Sequence, residues 1–166
     1  ESNNAEALFR VHDKPDQDRL VTFKSYLAEV GIDFTSASEP TPKDFAKVAV
    51  KIADRVDKDL IQTMLLRSMK QAVYDGTNLG HFGLALEAYA HFTSPIRRYP
   101  DLVVHRVIKA IINKQKGSKV CKGAKFYTEQ EIEALGEQCS MAERRADDAT
   151  RDVADWLKCE FMQDHV

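Results

Sequence analysis

Cysteine is scarce in this chain: three residues in 166, at positions 121, 139 and 159. They form neither a CxxC pair nor a dense cystine framework, which excludes a disulfide-stapled scaffold and favours a reducing, cytoplasmic compartment. No apolar run approaches the roughly 20 residues needed to span a bilayer, so no membrane partner is expected. The first ten residues, ESNNAEALFR, lack a basic segment followed by an apolar one and read as no signal peptide. A P-loop, a dinucleotide fingerprint and a nucleophile elbow are all missing, as are internal repeats and low-complexity stretches. What is present is 43% hydrophobic and 30% charged, the composition of one soluble and mostly helical domain.

The formal net charge of −2 conceals two opposed blocks. Residues 94–125 hold nine Lys and Arg against one acid, Asp101, whereas residues 126–166 hold four against eleven. The basic block can face a polyanion, or it can pair with the acidic segment that follows and face water.

Periodicity outlines the elements. Leu20, Phe23, Leu27 and Val30 recur at helical spacing, and Gly31 stands where a helix would end. Thr41, Pro42 and Asp44 resemble a capping box with proline at the first helical position, ahead of the apolar stripe Phe45, Val48, Ala49 and Ile52. Asp57 is the candidate cap of a third helix whose inner face is Leu60, Ile61, Met64, Leu65 and Met69. From 82 to 90 the larger residues Phe82, Leu84 and Leu86 alternate with Gly83, Ala85 and Glu87, a period of two that predicts a short strand. Such a strand would leave an exposed edge, with a swapped or oligomeric contact in the isolated chain. Ser94 and Pro95 read as the start of a helix that is apolar around much of its circumference and hence buried on several sides. The last helix opens on a capping box, Thr128 with Glu131. Ile132, Leu135, Cys139, Ala142, Ala146, Ala149, Val153 and Trp156 then form a continuous seam. Its central alanines would make a weak coiled coil, so packing within the molecule is expected along its length.

The helix starting at 94 would put Arg97, Asp101 and His105 on one polar line, with Arg98 about 100° round the axis. Arginines in a first turn oppose the helix dipole, which makes sense if an anion binds there, since a guanidinium holds phosphate oxygens through two parallel bonds. The plainer reading is an ion pair between Arg97 and Asp101, with His105 hydrogen-bonded in the core. His81, His91 and His105 lie at spacings of ten and fourteen with no cysteine nearby, which suits structural histidines rather than a zinc site. Phe82, Tyr89, Phe92 and Tyr99 interleave with the arginines, as rings do in single-strand channels and equally in ordinary cores.

The block HFGLALEAYAHFTSPIRRYPDLVVHR resembles the signature of the RNase II/RNase R (RNB) exoribonucleases. The flanking MLLRSMKQAVYD and CSMAERRADDATRDVADWLK resemble the RNase R branch of that family. The resemblance implies processive 3′→5′ hydrolysis of single-stranded RNA to nucleoside 5′-monophosphates. It implies a mainly α fold with a short β segment, a partial RNB-type α+β catalytic domain. By the same resemblance the catalytic residues are Arg97, which grips phosphate near the scissile bond, and Glu143, which either supports the site from behind or meets the substrate end. Thr93, Ser94, Arg98, Tyr89 and His91 are candidate substrate-binding residues of the signature, and Lys114 and Lys116 are candidates for steering RNA. The family's four closely spaced aspartates, which hold magnesium, have no counterpart here. Residues 1–166 are therefore expected to be the C-terminal portion of an RNB domain, inactive alone. The Mg2+ ligands would lie outside this chain, and the remainder of the domain would be its natural partner. The alternative is a helical RNA-binding or scaffold module without catalysis.

Overall fold

The computed structural model describes residues 5–35, 39–117 and 120–163. In chain order its elements are β1 (Phe9–Val11), α1 (Gln17–Glu29), α2 (Pro42–Lys51), α3 (Lys58–Ser68), β2 (Val73–Asp75), a 3-10 turn (Phe82–Leu84), α4 (Tyr99–Lys116) and α5 (Glu129–Gln163). The strands β1 and β2 make a two-stranded sheet, so the protein is mainly helical with a short β segment. The chain divides into two compact units, residues 10–72 with 78–89, and residues up to 9 with 73–77 and 90 onward.

The first unit is built on α1, α2 and α3. Helical spacing delivers Leu20, Phe23 and Leu27 from α1, Phe45 and Val48 from α2, and Ile61 and Leu65 from α3 to one core. Burial of each such side chain contributes about 1.5–3 kcal/mol. Phe23 and Phe45 stack nearly parallel at 6.1 Å, and Phe34 and Phe82 meet Phe45 edge-on at 5.4 and 5.7 Å. The capping box of α2 forms: the Thr41 backbone N–H (3.0 Å) and hydroxyl (2.8 Å) both donate to the Asp44 carboxylate. Those two bonds, with Lys47 behind them, bring the Asp44 pKa down to about 2. Asp57 does precede α3, but its carboxylate pairs with Arg55 at 2.8 Å instead of capping the helix. Leu60, expected on the inner face of α3, is exposed.

The strand expected over 82–90 is not there. Phe82–Leu84 form a 3-10 turn, Ala85 follows in the left-handed region at φ 55°, and only isolated bridges link His81 to His12 and to Leu86. The cause is His12. Its Nδ1 accepts the Gly83 N–H at 2.9 Å, and a Cβ on Gly83 would lie 2.6 Å from that nitrogen. The alternating small residues thus mark a chain wound tightly over a buried imidazole, and the expected strand edge falls away with the strand.

In the second unit Leu8, Tyr74, Val103, Val107, Tyr127 and Ile132 form the core. Here α5 lies on β2 with almost no spacing. The Ser140 hydroxyl accepts the Tyr74 N–H at 2.8 Å, and a Cβ on Gly136 would come within 2.7 Å of the Tyr74 carbonyl oxygen. The Thr128/Glu131 capping box of α5 forms as expected.

Two expectations for this unit are corrected. Helix α4 begins at Tyr99, not Ser94, because Pro100 has no N–H and is tolerated only within a first turn. A start at Ser94 would have put that proline in the helix interior. The seam of α5 is buried only at Ile132, Gly136 and Ser140, while Val153 and Trp156 are 58% and 62% exposed. Packing along its whole length is therefore not observed: β2 and α4 meet α5, but its second half has an exposed apolar face.

Two substitutions test this account. Gly136→Ala should cost about 1–3 kcal/mol, because the new methyl meets backbone oxygen rather than a yielding side chain. Ala85→Gly should stabilise by about 0.5–1 kcal/mol by relieving the left-handed alanine. Urea unfolding of each variant beside the parent measures both; equal midpoints for Gly136→Ala and the parent would contradict the close approach.

Candidate functional site

The signature segment folds as a turn followed by a helix. Pro95, Ile96 and Arg97 make a tight reversal in which the N–H groups of Arg97 and Arg98 donate to the Ser94 carbonyl at 3.3 and 3.0 Å. Pro95 supplies the fixed φ that such a turn favours. Ile96 at the tip is fully exposed. The turn is anchored by Asp101, in the first turn of α4 and wholly buried. Its Oδ2 accepts the Ser94 N–H at 2.7 Å and the Arg98 guanidinium at 2.9 Å. Burial alone would raise the pKa of this carboxyl; the bonds from Arg98 and Ser94, with the charges of Arg98 and His91, outweigh it and hold it below the ordinary 3.8. Arg98 also donates to the Thr93 hydroxyl at 3.5 Å.

The partner of Asp101 is therefore Arg98. The expected line of Arg97, Asp101 and His105 along one helix does not exist, because Arg97 precedes α4. Arg97 is exposed, and among the described residues its guanidinium makes no ion pair or hydrogen bond. The two neighbouring arginines have divided their tasks: one holds the turn together, the other stands out from it. An unpaired guanidinium on a rigid turn can take two oxygens of a phosphate or carboxylate.

The other candidates fall in several places. Thr93, Ser94 and Arg98 come together around Asp101. The His91 Nδ1 is hydrogen-bonded to the Tyr74 hydroxyl at 2.9 Å. Glu143 is half-buried on α5, and with burial it helps push the Cys139 thiol up. Lys114 and Lys116 are exposed in the last turn of α4, where they complement the helix dipole. At 1.5 Å per residue they lie about 24 and about 27 Å along the helix from Arg98. Lys122 is exposed, and Lys119 lies outside the described residues. Tyr89 belongs to the other unit, where its carbonyl accepts the Arg10 N–H at 2.7 Å and its ring meets His81 edge-on. Burial, then the nearby His12, lowers the pKa of His81.

Sequence reasoning missed Tyr74 and His12. Tyr74 orients His91, and His12 uses both ring nitrogens, one on the Lys70 carbonyl at 2.7 Å and one on Gly83. Neither residue sits in a local pattern; each acts on a segment far along the chain.

A groove of about 450 Å3 beside β2 and α5 is lined by Glu6, Asp75, Glu129, Glu133 and Glu137 against Arg144. Its sign is wrong for a polyanion, so it is not the anion site. Among the described residues no three His, Cys, Asp or Glu side chains converge as a metal site requires. No helix is long and apolar enough to cross a membrane among the described residues.

The RNB domain model matches residues 1–114, and the chain belongs to that family. Ribonuclease R of Vibrio cholerae is 58% identical over 164 residues, and that of Escherichia coli 56% over 163; each alignment covers 96% of this chain and 20% of the relative. The chain thus spans about a fifth of the length of these relatives. Among solved structures, Mycoplasma genitalium RNase R in its apo form superposes with a TM-score of 0.82 at 24% identity, covering 95% of this chain and 24% of that one. The same protein in complex with ribose-methylated single-stranded RNA gives 0.80. Yeast Ssd1, described as a pseudonuclease, gives 0.68 at 27% identity over 83% of this chain and 16% of that one.

The anchor of the turn is open to test. Asp101→Asn should cost about 2–4 kcal/mol, since it removes one member of a buried pair. The folded-state pKa is depressed, so the Asp101 contribution is complete at neutral pH and is lost as pH falls below about 4. Unfolding curves between pH 3 and pH 7 should therefore converge for the parent and Asp101→Asn at the acid end; parallel curves would show that the carboxylate charge does not hold the turn.

Proposed function

We propose that this chain is part of a cytoplasmic, processive 3′→5′ exoribonuclease that hydrolyses single-stranded RNA to nucleoside 5′-monophosphates. The observation that carries the reading is Arg97, exposed and without an ion pair among the described residues, on a turn held by other residues. In this reading Arg97 grips a backbone phosphate near the scissile bond through two parallel bonds. Arg98 and Asp101 fix the turn that presents it, and Thr93 and Ser94 belong to the same support. His91, held by Tyr74, lines the approach, and Tyr89 is a further candidate for binding substrate. Glu143 takes the substrate end. Magnesium serves the parent enzyme with ligands outside this chain, and the isolated chain is inactive. The remainder of the parent protein is its partner, with a non-native oligomer as the alternative for the chain alone.

The second reading, an RNA-binding or scaffold module without catalysis, is favoured by one observation. A protein described as a pseudonuclease shares this fold. Activity therefore has to be measured and cannot be taken from the fold.

Arg97 and Arg98 separate the functional from the structural role. In the full-length protein Arg97→Lys keeps the charge and loses the fork, so single-turnover cleavage should fall by roughly 10²–10³ with affinity changed far less. Its unfolding free energy should stay within about 0.5 kcal/mol of the parent. Arg98→Ala should instead destabilise by about 3 kcal/mol, because it leaves Asp101 buried and unpaired. Unchanged cleavage by Arg97→Lys would remove Arg97 from the catalytic site. The chain alone, given Mg2+ and a 3′-tailed single strand, should release no mononucleotide; a ladder of products would refute its inactivity.

Lys114 and Lys116 are assigned a steering role only. Neutralising each should lower the slope of log affinity against log salt by about 0.7 and leave turnover at saturating RNA unchanged. An unaltered slope would make them dipole partners of α4 and nothing more.

A further inference from the structure

Phe92 stands two residues before Ser94, at the entry to the Arg97 turn. Its ring lies flat on the imidazole of His105, with centroids 4.3 Å apart and planes within 5°. The pair is locked from the side as well, since the His105 Nε2–H donates to the Phe92 carbonyl at 2.8 Å. A stack held by both a ring face and a backbone bond is organised before any ligand arrives. Yet the Phe92 side remains open: the residue is 48% exposed although one ring face is covered. Its neighbour Tyr99 is also exposed, but that ring already has the Arg106 guanidinium 5.8 Å from its centroid and its hydroxyl bonded by the same group. Phe92 therefore offers an open aromatic face on the segment that presents an unpaired arginine.

We propose that the Phe92/His105 stack is a platform for one nucleobase of the single strand whose phosphate Arg97 holds. The proposal rests on the reading of Arg97 given above. Stacking uses the π-face that every base has, so the platform is tolerant of sequence, and its preorganisation avoids the cost of ordering a free ring on binding. His105 acts here as a positioning residue: it backs the phenyl ring and fixes its plane. The arrangement also explains why a histidine stands on α4 with its ring turned to a backbone carbonyl outside the helix.

The test uses the full-length protein in chelator, so that no strand is cut, and oligoribonucleotides carrying one abasic residue moved stepwise from the 3′ end. Phe92→Leu keeps most of the volume and removes the ring. It should weaken binding of the intact strand roughly tenfold. One abasic position should cause the same loss in the parent protein and no further loss in Phe92→Leu, because base and ring then account for a single interaction. If Phe92→Leu does not fold, Phe92→Trp decides. Its added indole emission should change on binding the intact strand and not on binding the strand abasic at that position. Equal losses at every abasic position, no loss in Phe92→Leu, or unchanged Phe92→Trp emission would overturn the platform. Arg97→Ala run alongside distinguishes the two failures. If it weakens binding while Phe92→Leu does not, the platform alone is wrong; if it binds every strand like the parent, the Arg97 reading fails first.

Discussion

The buried carboxylate of Asp101 is the constraint on which the signature segment depends. It sits at the start of α4 with no solvent contact, and its Oδ2 alone collects both the Ser94 N–H and the Arg98 guanidinium. A buried charge is tolerated only when it is paired and bonded, so these partners are not interchangeable with water. The bond to Ser94 closes the turn onto the helix; the bond to Arg98 neutralises the charge. The next arginine back in the chain is then left facing outward. Presentation of Arg97 thus accompanies the satisfaction of Asp101, whose one carboxylate closes the turn onto the helix and engages the other arginine.

The same economy governs the other unit. There His12, not a carboxylate, is the buried polar centre. Its two nitrogens take up the Lys70 carbonyl and the Gly83 N–H, and its carbonyl accepts the Phe82 N–H at 2.7 Å. Because one nitrogen must donate to a carbonyl while the other accepts an amide, the ring is a neutral imidazole with its proton on Nε2. This requirement shapes the 3-10 turn and leaves Ala85 in a conformation that costs about 1 kcal/mol or more. In each unit a buried polar group decides the local backbone, His12 from a distant part of the chain and Asp101 from within its own segment.

That contrast explains what was readable from sequence. The apolar faces of α1 and α2, both capping boxes and the glycine after α1 depend on residues three or four apart, and each is where the periodicity placed it. The family, too, was legible from contiguous blocks. The turn at 82–85 was misread as a strand because its cause, His12, lies about 70 residues upstream. The start of α4 was misread although Pro100 marked it, since Ser94 and Pro95 offered an equally good local cap. Pairing Asp101 with Arg97 followed from that error in register. The second half of α5 has the pattern of a buried seam but is exposed, because a hydrophobic pattern specifies that a face will be covered without specifying by what.

An arginine that is conspicuous in a motif is commonly credited with binding, yet two adjacent arginines need not share a role. Arg98 has a buried counter-charge three residues on, the i,i+3 spacing a helix start allows. Arg97, displaced by one residue, is exposed and makes no ion pair among the described residues. Their roles are set by the register of the turn, and exchanging them would require the helix to begin elsewhere. Pro100 forbids that shift, because moving the start back by a turn would bury its ring against a carbonyl it cannot bond. A proline with no chemistry of its own thus decides which of two identical cations is left without an ion pair among the described residues.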